Sequence, residues 1–331
     1  MPAKPLSAVK ASLLLVSLLA SGTAGAAQGA AAPAYPNKPV RLVVPFAAGG
    51  LNDTLARVFG EALGASLGVT TVIDNRAGAS GTIGMGIGAK ANPDGYTLVF
   101  SSSSAIAVAP NLYRVPYDPV KDFSPISTIS ALGSVLLVHP QMQARSVAEL
   151  IALAKASPGQ LKFGSVGPGT SQHLAGELFK LLAGVEMLHV PYKGGGQVLT
   201  DMLARQIDID FEPIPTALPY VKTARLRPLG VTTAARSRLL PEVPSMAEAG
   251  VRGYDSTLWN GLLAPARTPK LVVARLHAEL LKVVHSPEMT KRLVGLGAEP
   301  TTNTPEEFTV YIGSEIARWG KLVKALKLKV E

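Results

Sequence analysis

The chain has 331 residues, 47% of them apolar, with no cysteine and a formal charge of +9. That length suffices for two lobes of ordinary domain size, and the lack of cysteine excludes disulfides, zinc–thiolate sites, thiol nucleophiles and a lipidated N-terminal cysteine. Lys and Arg are spread without a run of five, and aromatics make up only 5%, so the charge forms no nucleic-acid footprint; it reads as a solvated basic surface that mildly attracts anions.

The N-terminus reads as an export signal. Lys4 and Lys10 form a basic region, 11–20 is a short apolar run, and Ala24-Gly-Ala26 is a small-x-small cleavage site. The run is too short to span a bilayer. Residues 1–26 are therefore expected to leave as a signal peptide, cut near Ala26-Ala27, which takes the formal charge from +9 to +7.

After an Ala-rich start, strands and helices alternate. Val40 to Phe46 reads as a strand, Ala47, Ala48, Gly49 and Gly50 as a glycine turn, and Asn52-Asp53 as the opening of a helix that buries Leu55, Val58, Phe59, Ala62 and Leu63. Thr71-Val-Ile73 is a second strand, 81–91 a small-residue helix and Tyr96 to Phe100 a third strand. These continuous apolar runs suit strands covered on both faces, as in parallel sheets. Ser101, Ser102, Ser103 and Ser104 follow at a strand's carboxyl end, where α/β sheets bind ligands. An ordinary capped turn explains them equally well. Ser134 to Val138 is another strand, and 147–155 a helix.

The pattern then repeats. Leu161 to Ser165 is a strand; Val166, Gly167, Pro168 and Gly169 form a turn; Thr170 and Ser171 open a helix that runs to Ala183. Further strands fall at 188–190, 207–211 and 229–232, with helices at 196–205 and 217–223. The C-terminal third is helix-rich. Thr268-Pro269 and Ser286-Pro287 mark helix starts, and Thr304-Pro-Glu-Glu307 is a capping box. The last helix buries Phe308, Ile312, Ile316, Trp319, Val323 and Leu326.

This order predicts an α/β protein of two lobes. The first is built from 36–130 and 231–331, and the second, 131–230, is inserted between them. Two extended crossings near 129–131 and 229–233 would act as the hinge. Each glycine turn leaves backbone N–H groups at the positive end of a helix, a ready anion site. Gly50 can adopt φ > 0 there. Two such sites across a cleft would hold a small anion. Asp53 would cap the helix and point away from the ligand. Tyr192, in the turn Val190-Pro-Tyr-Lys-Gly-Gly-Gly196, could line the cleft. Glu212 could hold a ligand ammonium or hydroxyl, or be a surface charge.

Enzyme motifs are missing. Ser165 lies in Phe163-Gly-Ser-Val-Gly167, where a nucleophile elbow needs Gly at 163. There is no P-loop, and Gly84-Met-Gly86-Ile-Gly88 follows a loop and not a strand. His173 and Glu177 share a helix face without a third ligand, and the other histidines show no pairing pattern. No catalytic residue, metal or cofactor is expected.

Pro45-Phe-Ala-Ala-Gly-Gly50 with Asp53 and Ala56-Arg57 resembles the opening of the Bug family, the periplasmic solute-binding proteins of tripartite tricarboxylate transporters. Asp74-Asn-Arg-Ala-Gly78, Pro93-Asp-Gly-Tyr-Thr-Leu98, Gly164-Ser-Val-Gly-Pro-Gly-Thr170, His173-Leu-Ala-Gly-Glu177, His189-Val-Pro-Tyr-Lys-Gly194 and Trp259-Asn-Gly261 continue it in order. The resemblance implies a type II periplasmic-binding-protein, or Venus-flytrap, fold. It implies a small carboxylate held mainly by backbone amides and ordered waters. The matched positions are Phe46, Ala47, Ala48, Gly49 and Gly50, and Gly167, Gly169, Thr170 and Ser171; Asn52, Asp53, Ser101, Ser102, Ser103, Tyr192 and Glu212 complete the candidate ligand site. It further implies a monomer in the periplasm, delivering its ligand to a membrane permease of the tripartite tricarboxylate type, with no nucleic acid involved. Ala48 replaces the family's usual Pro, Leu51-Asn52 replaces Gly or Ser followed by Thr, and Glu212 stands where Asp is common. Ligand identity therefore does not carry over. The rival readings are a sensor that docks to a receptor kinase and a carboxylate-processing enzyme.

Overall fold

A computed structural model describes residues 35–325. The expected signal peptide at 1–26 and Leu326 lie outside the described residues. In chain order the elements are β1 (Val40–Val44), α1 (Leu51–Leu67), β2 (Thr71–Asn75), α2 (Thr82–Ala89), β3 (Thr97–Ser102), α3 (Ala109–Leu112), β4 (Phe123–Leu132), β5 (Ser134–Val138), α4 (Val147–Ala156), β6 (Lys162–Ser165) and α5 (Ser171–Ala183). There follow β7 (Leu188–Pro191), α6 (Gly195–Leu203), β8 (Ile209–Pro213), α7 (Ile214–Lys222), β9 (Arg227–Val231), β10 (Leu258–Pro265), α8 (Lys270–Val284), α9 (Pro287–Gly295), β11 (Ala298–Pro300) and α10 (Pro305–Ala325).

Two sheets organise the chain. The first runs β11-β4-β10-β3-β1-β2, and the second β7-β6-β8-β5-β9. Neither is wholly parallel, contrary to the reading of the apolar runs. β1 pairs in parallel with β2 and β3, but β10 is antiparallel to both β3 and β4. In the second sheet β6 is parallel to β7 and β8, and β5 is antiparallel to β8 and β9. β4 and β10 were not foreseen as strands. β4 carries buried Ser127, Thr128 and Ser130, a polar content that hides a core strand from a hydropathy reading.

The chain crosses between sheets at Gly133, just beyond the expected 129–131, and again after Val231. The crossings are laced together: Ser134 N–H donates to Thr232 Oγ1 (2.9 Å), Thr232 N–H to Ser134 O (2.9 Å), and Ser256 N–H to Thr232 O (2.8 Å). A cavity of about 460 Å³ lies beside them, lined among others by Gly133, Thr233, Asp255, Trp259 and Tyr311.

Side-chain caps open α4, α5, α9 and α10. Ser286 caps α9 ahead of Pro287. Thr304 and Glu307 exchange N–H bonds of 2.9 and 3.2 Å, the reciprocal capping box. Thr268 departs from expectation: its hydroxyl donates to Pro265 O, and α8 begins at Lys270 after Pro269.

Candidate functional site

The two glycine turns have one construction. In the first, β1 ends at Val44, Phe46 is half-buried against the core, and Ala47, Ala48, Gly49 and Gly50 are exposed ahead of α1. The left-handed residue is Gly49 (φ +83°), whereas Gly50 is extended at φ −79°. Gly50 thus needs no positive φ, which corrects the sequence reading. Asp53 does not cap the helix through its side chain either. Its Oδ2 accepts the N–H of Gly49 (2.8 Å) and Arg57 Nε (3.0 Å), and its Oδ1 accepts Asn75 Nδ2 (2.9 Å). Burial would raise this carboxyl, but the bonds from Arg57, Gly49 and Asn75 outweigh it and hold it below its ordinary value. Asp53 is a charged brace behind the loop, its charge met by Arg57.

The second loop repeats this. Gly169 is left-handed (φ +76°), and its N–H donates to Nδ1 of His173, again four residues on (3.0 Å). His173 is buried. Burial, and then His189 and Lys180 nearby, lower its pKa to about 4, so near neutral pH the ring keeps the lone pair that Gly169 needs. Two more loop N–H groups are also held from behind: Val166 donates to Gln172 Oε1 (3.1 Å) and Gly167 to Ser165 Oγ (3.1 Å). Thr170 caps α5, accepting the His173 N–H (3.4 Å) while its hydroxyl donates to Gly167 O (2.7 Å). The turns therefore offer fewer free donors than a count of glycines suggests. What remains is the first turn of α1 and of α5, whose N–H groups have no partner within the helix. Ser171 stands half-exposed at the start of α5.

His173 packs on His189 with the rings tilted and 4.2 Å between centroids, a pairing that spacing did not reveal, and His189 in turn stacks on Phe163 at 4.9 Å. His189 Nε2 lies 2.6 Å from Ser165 Oγ. This resembles a nucleophile–base contact, but Ser165 is fully buried and bonded at both ends to its own loop. The pair braces β6 against β7. Among the described residues, no group of three His, Cys, Asp or Glu could hold a metal.

The serine run is largely turned inward. β3 continues through Ser102, so Ser101 and Ser103 are fully buried; Ser101 Oγ contacts Met85 Sδ (3.2 Å), and Ser103 Oγ accepts the Trp259 N–H (3.3 Å). Ser102 and Ser104 share a 2.6 Å hydrogen bond, and of the four only Ser104 is more than marginally exposed. The segment beyond them ends in α3, whose Leu112 lies against Gly169. Asn52 Oδ1 accepts from Asn260 Nδ2 (2.7 Å), tying the start of α1 to β10. Asn260 is buried and was singled out only within the Trp259-Asn-Gly261 resemblance.

Tyr192 is half-buried, and its hydroxyl donates to Asp201 Oδ2 (2.8 Å); burial and then Asp201 push its pKa up to about 12. Glu212 is no surface charge: it is buried and accepts from Gln172 Nε2 (2.8 Å). Gln172 was missed because its role depends on reaching both this carboxyl and the loop.

The family model described as the tripartite tricarboxylate transporter family receptor matches residues 55–328. Protein BugT of Bordetella pertussis is 36% identical over 321 residues, covering 96% of this chain and 98% of BugT. A protein of R. palustris solved with adipate is 37% identical, with 88% of this chain and 97% of that one covered and a TM-score of 0.71. MatC from Rhodopseudomonas palustris, solved with bound malate, is 29% identical, with 87% and 100% covered and a TM-score of 0.68. The two-sheet fold is that of the periplasmic binding proteins, and the chain belongs to the tripartite tricarboxylate transporter receptor family.

Proposed function

We propose that the chain is an exported, monomeric solute-binding protein that captures a small carboxylate in the periplasm and hands it to a tripartite tricarboxylate-type permease. The single observation that carries this is the matched pair of loops: Gly49 braced by Asp53 and Gly169 braced by His173, each leaving a helix N-terminus open. Two solved relatives hold adipate and malate, which supports a carboxylate ligand. The leader at 1–26 supports export. No helix among the described residues is long and apolar enough to cross a membrane.

In this reading the lobes are 36–130 with 231–331, and 131–230, hinged where the chain crosses at Gly133 and beyond Val231. The ligand lies between 46–53 and 167–171, with Ser102 and Ser104 at the margin. Closure excludes water and strengthens the contacts from fixed N–H dipoles. Recognition by N–H groups takes an anion without a buried cation and involves no turnover.

A thermal-shift screen of the protein against aliphatic and aromatic carboxylates, hydroxy acids and acidic amino acids tests the reading. A ligand at a hundred times its Kd stabilises by about 2.7 kcal/mol. A selective carboxylate shift is expected. Stabilisation by amines or sugars alone would overturn the assignment.

A further inference from the structure

Asp210 and Glu212 alternate on β8 and so share one face of the sheet. Across from them in register lie Leu137 and Val135 of β5, and Gly164 of β6 beside Asp210. That face packs on Val198, Met202 and Ile207, an apolar layer. Asp210 is fully buried and Glu212 nearly so. Neither makes an ion pair among the described residues. The groups that face the pair are Gln172 from α5 and Thr216 from α7, both uncharged. Tyr192 and Asp201 are bonded to each other.

Two adjacent buried carboxylates without a cation would repel at close range in a low-dielectric site. Burial, reinforced by Glu212, pushes Asp210 well above the ordinary carboxyl range, and burial raises Glu212. One oxygen has no donor: Asp210 Oδ2 is buried and unpartnered, although Asp210 adjoins Glu212. A proton on that oxygen, donated to Glu212, supplies what is missing. Gln172 then joins the pair to the loop. Its Nε2 donates to Glu212 Oε2 (2.8 Å) and approaches Asp210 Oδ1 (3.4 Å), while its Oε1 accepts the Val166 N–H (3.1 Å).

We propose that Asp210 and Glu212 hold one proton between them, and that this proton, acting through Gln172, positions the 165–170 loop and so makes carboxylate affinity depend on pH. Asp210 and Glu212 are positioning residues in this scheme. Loss of the proton to solvent leaves two negative charges in an apolar layer. Glu212 then moves toward the open end of β8, Gln172 releases Val166, and the loop meets an anionic ligand loosened and more negative. The pH effect on affinity rests on the function proposed above; the shared proton does not.

Infrared spectroscopy of the ligand-free protein tests the proton first. A protonated carboxyl band is expected at neutral pH, lost in Asp210→Asn and fading in the wild type as pH rises. Amide exchange at Val166, divided by the intrinsic rate, should rise with that loss in the wild type and stay slow in Asp210→Asn, whose amide donates permanently. Calorimetric titration with adipate from about pH 6 to about pH 9 should show affinity falling about tenfold per pH unit above the pair's titration, and a flat profile in Asp210→Asn. Glu212→Gln, which keeps the shape and removes the second charge, should flatten the profile too and serves if Asp210→Asn does not fold. A missing band at neutral pH, or the same slope in both variants, overturns the proposal. Failure of adipate to bind at every pH counts against the carboxylate reading, while band and exchange still decide the proton.

Discussion

At the scale of single residues, the two braces differ in charge but not in task. Asp53 and His173 each accept the N–H of the glycine four positions earlier. Replacing His173 by Phe keeps a ring to pack on His189 but orphans the Gly169 N–H. A stability loss of about 1–3 kcal/mol is expected, with carboxylate affinity weakened about tenfold or more, read by calorimetry beside thermal melts. The pH signature has a definite sign. His173 titrates lower in the fold than in the unfolded chain, so the folded state binds fewer protons. Its contribution is fully present above about pH 6.5, the unfolded value, and is lost as pH falls toward the folded value of about 4. His173→Phe should remove that part of the acid-side decline in Tm. Gly49 and Gly50 also separate. Gly49→Ala places a Cβ at φ +83° and should cost about 1–2 kcal/mol. Gly50→Ala meets only Ala47 O at 3.6 Å and should leave the melt nearly unchanged. Equal effects at the two positions would contradict the loop geometry.

At the scale of elements, docking of α1 depends on β10. Asn260 is buried and bonds to Asn52 at the start of α1, with Ser130 of β4 also approaching its Oδ1 (3.4 Å). Asn260→Leu should destabilise by about 1–3 kcal/mol, since the buried Ser130 hydroxyl and the half-buried Asn52 amide lose their partner. It should also weaken ligand binding, because the helix start would shift; a variant with normal affinity would detach α1 from this role. Much at this level was legible in the sequence, because the signals are local. Glycines followed by hydroxyl or acidic residues mark both loops, and α5 begins at Ser171, within the Thr170-Ser171 start that the sequence indicates. What escaped was long-range. β10 enters between β3 and β4 from more than a hundred residues away, and no periodicity within Leu258–Pro265 announces its partners. Ser101 and Ser103 were expected among the ligand contacts as hydroxyls after a strand. The strand runs two residues further than hydropathy suggested, and pairing with β10 turns them inward. Likewise, the reach of Gln172 to both loop and carboxyls follows from its place in the first turn of α5, which composition does not encode.

At the scale of the whole molecule, the crossing at Gly133 and Thr232 governs how the lobes move in the proposed mechanism. Thr232→Val removes the acceptor for the Ser134 N–H and leaves a buried donor bare. A loss of about 1–3 kcal/mol in chemical denaturation is expected, and small-angle scattering should show a smaller contraction on adding a bound carboxylate. An unchanged contraction would place the pivot elsewhere. The loops have a further consequence. What holds them is a set of side chains, Asp53, Asn75, Ser165, Gln172 and His173, each hydrogen-bonded to a loop's backbone. The exposed side chains of the same loops, Ala48, Leu51 (44% exposed) and Val166 (38% exposed), take no part in those bonds. In the proposed function, grip and taste are thus inherited separately: a lineage would drift to a new solute by exchanging those three residues, generation by generation, while the braces behind the loops stay intact.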